Sequence, residues 1–107
     1  MKIVFTPSVH DQFMRVLAYI RRDNSSEAIL FRYKTEKILL RLKDQPESGR
    51  ALSEFPESHF REVIVAPYRF FYRVKDNVIW IVAAWHDAQI SFRPEEYTAN
   101  LSPENDA

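Results

Sequence analysis

The sequence predicts an α+β domain, ordered β-α-α-β-β-β, with a helical hairpin packed on one face of an antiparallel sheet. Three observations carry that prediction. Apolar residues recur at helical spacing from Val9 to Leu42 and at strand spacing from Phe60 onward. The only glycine, Gly49, lies in the junction QPESGR between the two regimes. At 107 residues, 46% hydrophobic and 28% charged, the chain has the length and composition of one globular domain.

The first segment, KIVFT, reads as a short strand in which Ile3 and Phe5 alternate with Lys2 and Val4. Thr6-Pro7 follows as N-cap and first helical residue, where a missing N–H costs nothing. Val9, Phe13, Val16, Leu17 and Ile20 then mark a helix over residues 7–22. Asn24 and Glu27 have the spacing of a capping box and restart the pattern. The second helix carries Ala28, Phe31, Ile38, Leu39 and Leu42 on its buried stripe, interrupted by Thr35. Its other face, with Arg32, Lys34, Lys37, Arg41 and Lys43, reads most simply as solvated, with contact to DNA or an acidic segment as the alternative. Gln45-Pro46 ends it, because the residue before a proline is pushed out of the helical region.

Residues 60–66, 68–74 and 78–85 are aromatic or β-branched and read as three strands. Asp76-Asn77 supplies a hairpin turn between the last two. Within APYRFFYRV, alternation puts Tyr68, Phe70, Tyr72 and Val74 on one face and Arg69, Phe71 and Arg73 on the other. The first set is expected to anchor the helices. The second is expected to face outward on an open working face, with Arg61 beside Arg69. Trp80 and Trp85 have opposite parity, so one is expected on each face. Residues 79–84 are apolar on both faces and belong at the sheet centre. Residues 90–97 are expected to add an edge strand or a short terminal segment.

The domain is expected to span residues 1–93, followed by a partly disordered acidic tail over 94–107. The tail holds Glu95, Glu96, Glu104 and Asp106 and no Lys or Arg. It therefore carries −4, leaving +4 on the body of a chain that is neutral overall. That body charge is compatible with a polyanionic target, yet far from the signature of a dedicated nucleic-acid binder. The absence of cysteine excludes disulfides, Cys-based zinc sites and a thiol nucleophile, and fits a cytoplasmic protein. His10 and His59 have no partner at ligand spacing, so no metal is expected. No apolar run suggests a signal peptide or a membrane span.

Four stretches in order, AYIRRDNSSEA, QPESGR, FREVIVAPYRFFYRV and VIWIVAAWHD, resemble the RelE/ParE superfamily of toxins from type II toxin–antitoxin pairs, over about residues 3–93. They are similar to its helix–helix junction, the turn after its second helix, its typical strand pair and its following strand with a histidine. The wording of the hairpin and of APYRFFYRV is closer to the ParE-like branch. The resemblance implies a toxin without cofactor, neutralised by a cognate antitoxin lying over the helical hairpin or along the sheet edge. A ParE-like member would inhibit DNA gyrase by binding. A RelE-like member would cleave mRNA on the ribosome. A third reading is a non-toxic relative that only binds its antitoxin.

Under the nuclease reading, Arg69 would hold a phosphate, Arg61 would add a cation, and His86 would serve as acid or base. Under the gyrase reading, Arg69, Arg73 and Trp85 would contact the target. The bland alternatives are a solvated or carboxylate-paired Arg69, an ordinary surface Arg61, a strand-end His86 and a Trp85 that completes the core. The sequence also departs from the nuclease pattern. After Trp85 the next cation is Arg93, and Arg61 and Val63 stand where such nucleases carry paired lysines. Without those cations, charge developing on a phosphate goes unstabilised.

Overall fold

The computed structural model describes residues 1–87, 92–98 and 101, and the order of its elements follows the prediction, with one short strand added between the second helix and the expected three. Strand β1 spans Lys2–Phe5 and helix α1 spans Pro7–Asp23. Thr6 is extended at the N-cap, its N–H donates to Ile81 O at 3.1 Å, and Pro7 opens the helix. Helix α2, Ser25–Asp44, follows after Asn24 alone. That residue serves both helices. Its N–H donates to Ile20 O at 2.9 Å, closing α1, and its side chain accepts from Glu27 N at 3.1 Å, opening α2. Thr35 is buried in α2, and its hydroxyl donates to Phe31 O at 2.8 Å, so no polar group is stranded there.

The sheet has five strands in the order β1-β5-β4-β3-β2, with β2 at Arg50–Ala51, β3 at Arg61–Val65, β4 at Tyr68–Lys75 and β5 at Val78–His86. It is not wholly antiparallel. Strands β2 to β5 pair antiparallel, while β1 pairs parallel with β5. The β3–β4–β5 meander leaves the outer edge of β5 free, and β1 fills it. Strand β5 is therefore central, as its apolar run requires, and Val78 to Ala84 are all buried. Asp76 and Asn77 both have positive φ, 55° and 61°, as a two-residue hairpin turn whose twist matches the strands demands.

One sheet face packs on the helices. Val65, Phe70, Tyr72, Ile79, Ile81 and Ala84 meet Val9, Phe13, Phe31, Leu39 and Leu42. The opposite face is not open. Phe71, Val78, Trp80, Val82 and Ala83 form a second core with Leu52, Phe60, Phe92 and Leu101. It is roofed by the 52–60 loop and by residues that follow β5. Phe92 stacks on Phe71 with ring centroids 4.0 Å apart and planes 3° from parallel, and Tyr97 stacks on Phe92 at 5.1 Å. Residues 94–96 form a 3-10 turn, and Thr98 Oγ1 donates to Pro94 O at 2.9 Å. Glu104 and Asp106 of the acidic tail, and residues 90–91 of the expected terminal segment, lie outside the described residues.

The expectation that Trp80 and Trp85 face opposite ways is also overturned. Phe71 pairs with Ala83 but Tyr72 pairs with Ile81, so Val82 is an extra residue in β5. This bulge reverses the alternation between the two tryptophans and turns both to the second face.

Candidate functional site

On the second face, β3 and β4 bring a carboxylate and a guanidinium together. Register pairs Glu62 with Phe71 and Arg69 with Ile64, so the two charged residues are diagonal neighbours on one face. Arg69 Nε donates to Glu62 Oε2 at 2.8 Å, and Arg69 Nη2 closes on the same oxygen. The other oxygen, Oε1, accepts from Arg50 Nε at 2.7 Å, and Arg50 Nη2 reaches Glu54 at 3.2 Å. Glu62 is 3% exposed and Arg69 8%. Arg69 also lies over the Phe71 ring, 5.3 Å from its centroid. The expectation of an outward-facing Arg69 is therefore corrected: it is on the face away from the helices, but buried there and paired with Glu62.

Around this pair, Glu54 is held below its ordinary value of 4.5, first by a bond to its own backbone N–H and then by Arg50. Bonds to Glu62 and Glu54 raise Arg50. Every cation of the network already has its anion. A phosphate arriving at Arg69 would have to displace a buried carboxylate, which would then lack its main partner.

Arg61 is not beside Arg69. It pairs across from Tyr72, on the helix side of the sheet, because adjacent strand residues alternate faces. Its Nη1 donates to Glu47 O at 3.1 Å and Gly49 O at 2.8 Å, tying down the turn after α2. Tyr72 braces the same turn. Its hydroxyl donates to Pro46 O at 2.7 Å and accepts from Gly49 N at 3.0 Å. A side chain at position 49 would collide with Tyr72 Oη at 2.5 Å, which accounts for glycine there by space alone.

His86 ends β5 opposite Tyr68, with the two rings edge-on at 5.3 Å. They line a groove of about 850 Å³ together with Arg15, Tyr19, Ile20 and Pro67. Burial raises the Tyr68 hydroxyl, with Tyr19 adding to the effect, so it stays protonated at neutral pH and cannot act as a base. Arg61 and His86 pair with β4 at Tyr72 and Tyr68, four residues apart, or about 13 Å along a strand. Arg69 points away from both. The three nuclease candidates occupy three separate environments and do not surround one phosphate.

Arg73 and Trp85 share the second face, with Arg73 paired to Trp80 and Arg69 paired to Trp85. Both are half-buried. Arg73 lies over the Phe60 ring at 5.8 Å. Arg73 Nε and Trp85 Nε1 are buried without a hydrogen bond of good geometry among the described residues. Burial, with Glu96 adding to it, raises the Tyr97 hydroxyl above its ordinary value, against an opposing contact with Trp85. No group of three His, Cys, Asp or Glu side chains could hold a metal among the described residues, and no described helix is long and apolar enough to cross a membrane.

Sequence reasoning missed Glu62, Arg50 and Phe92. Glu62 had a usable signal: an acid in a strand whose partner strand carries an arginine. With Ala66-Pro67 at the turn, Val65 meets Tyr68, and Glu62 and Arg69 then fall on one face. Phe92 had none, because its contact with Phe71 is non-local and leaves no period.

Among curated proteins, none matches this chain. A family profile described as the ParE toxin of type II toxin-antitoxin system, parDE, matches residues 3–91, which span β1 through β5. With the sheet order and the helical hairpin, that match identifies the chain as a member of the ParE toxin family of type II toxin–antitoxin systems.

Proposed function

We propose that this toxin acts by binding DNA gyrase and stalling it on cleaved DNA, without chemistry of its own, and that a cognate antitoxin neutralises it. The observation that carries the reading is the dispersal of Arg61, Arg69 and His86. A phosphodiester-cleaving site needs its base, acid and cations around one phosphate. Here Arg69 is bound to Glu62, Arg61 to backbone carbonyls, and His86 lies on the opposite face from Arg69. Arg73 and Trp85, half-buried at the rim of the second face, are the residues left to touch the target. Arg69 supports them from within.

The test is a supercoiling assay with gyrase, relaxed plasmid and the purified chain at micromolar concentration. Loss of supercoiled product with accumulation of cleaved DNA is the expected result, weakened by Arg73→Ala and Trp85→Ala. Undisturbed supercoiling would overturn the proposal, and mRNA cleavage in a translating extract would then be the assay to run.

A further inference from the structure

Helix α1 and the ends of β4 and β5 border the groove of about 850 Å³ that holds His86, a volume in the range of small-molecule sites. Gln12, Arg15 and Tyr19 fall on one face of α1 and supply one side of the lining. Tyr68 and His86, cross-strand partners with their rings edge-on, supply the other. Val16 and Ile20, both half-buried, add apolar surface.

Two groups in this groove are uncommitted. Tyr19 is 63% exposed, and its ring packs on no other ring among the described residues. Arg15 donates only from Nε, to Asp11 O at 3.4 Å, and meets no carboxylate among the described residues. Among those residues no Asp or Glu lines the groove; Asp11, on the same helix, and Asp87, beside His86, lie outside the lining. Gln12 accepts from Ala84 N with its amide oxygen at 3.1 Å, which leaves the amide NH2 as a donor. Tyr68, its hydroxyl kept protonated by burial, can donate or accept.

We infer that this groove binds a free nucleoside monophosphate, with its base stacked on Tyr19 and its phosphate paired with the Arg15 guanidinium. Arg15 and Tyr19 stand one turn apart, about 6 Å along the helix axis, a span that a phosphate and a base joined through a ribose can cover. Stacking tolerates any base, since each has a π-face, and the guanidinium fork matches the oxygens of a phosphate. Gln12 and Tyr68 supply hydrogen bonds to the polar edge of the base. An uncharged aromatic ligand would leave Arg15 without an anion, and inorganic phosphate would leave the Tyr19 ring bare. The site needs neither Arg69 nor Arg73, so it is independent of the gyrase reading.

The test titrates the full chain with AMP by calorimetry, beside adenosine, inorganic phosphate and phenyl phosphate as partial ligands. AMP is expected to bind, with each partial ligand at least about tenfold weaker. Arg15→Ala should bring AMP down to the affinity of adenosine and leave adenosine itself unchanged. Tyr19→Ala should weaken both by about tenfold. Both side chains are exposed, and circular dichroism checks that the variants stay folded. No binding of AMP at millimolar concentration, phenyl phosphate bound as tightly as AMP, or AMP binding untouched by both substitutions would overturn the inference. So would a single-stranded pentanucleotide bound more than about tenfold tighter than AMP, because the occupant would then be a strand.

Discussion

The two faces of the sheet are built on different principles. The core between sheet and helices is built mainly from apolar side chains, and its helical elements follow one another in sequence: Val9 and Phe13 from α1, Phe31 and Leu39 from α2. The second face is aromatic, contains a buried ion pair, and is closed by residues that come from two distant stretches of chain. The contrast shows why arginines in an aromatic strand do not by themselves mark a binding surface. Arg69 and Phe71 share a face because that face holds a carboxylate and a stacked ring to receive them.

Truncating one aromatic on each side gives the largest expected effects. Phe13→Ala, against the helices, and Phe92→Ala, under the second roof, should each cost about 3–5 kcal/mol in urea unfolding, since each removes a buried ring and leaves a cavity. A Phe92→Ala protein as stable as the parent would break the comparison, because the second face would then be a surface with a loose cover. Next come Tyr72 and Gly49, which fasten the turn between the two halves. Tyr72→Phe should lose about 1–3 kcal/mol with its two hydrogen bonds. Gly49→Ala should lose a similar amount, about 1–3 kcal/mol, because the added Cβ forces Tyr72 aside. Asn24→Ala, on the helix side alone, should cost about 1 kcal/mol for the lost cap, read as a shift in midpoint.

The smallest effect is a dependence on pH. The Glu54 carboxyl is lowered in the folded protein, so its contribution is present above pH 4.5 and is lost as pH falls through the lower folded value. Glu54 is 45% exposed, and solvent screening keeps that contribution below about 0.5 kcal/mol. Glu54→Gln should accordingly be marginally less stable than the parent at pH 7, with the difference shrinking as pH falls below 4.5.

Much of this fold was legible in the sequence. The Asn24 cap, the proline at the start of α1, the Asp76-Asn77 turn and the buried run of β5 each rest on local chemistry, and each is found where that chemistry puts it. What was not legible depended on non-local events. One extra residue, Val82, turned Trp85 to the same face as Trp80, and no alternation rule applied to β5 anticipates a bulge. The roof over Phe71 is supplied by Phe92 and Leu101, which have no periodic relation to it. The candidate site suffered most, because Arg61, Arg69 and His86 were grouped by residue type, and register then separated them.

The most direct test of the claim that Arg69 is held as part of a core is a comparison of Glu62→Leu with Glu62→Leu/Arg69→Met in urea unfolding. The single change leaves a buried guanidinium without its anion and should cost about 3–5 kcal/mol, whereas the double change leaves no buried charge and should recover at least about half of that loss. A double variant no more stable than the single one would contradict the account and return Arg69 to the surface as a residue free for other work.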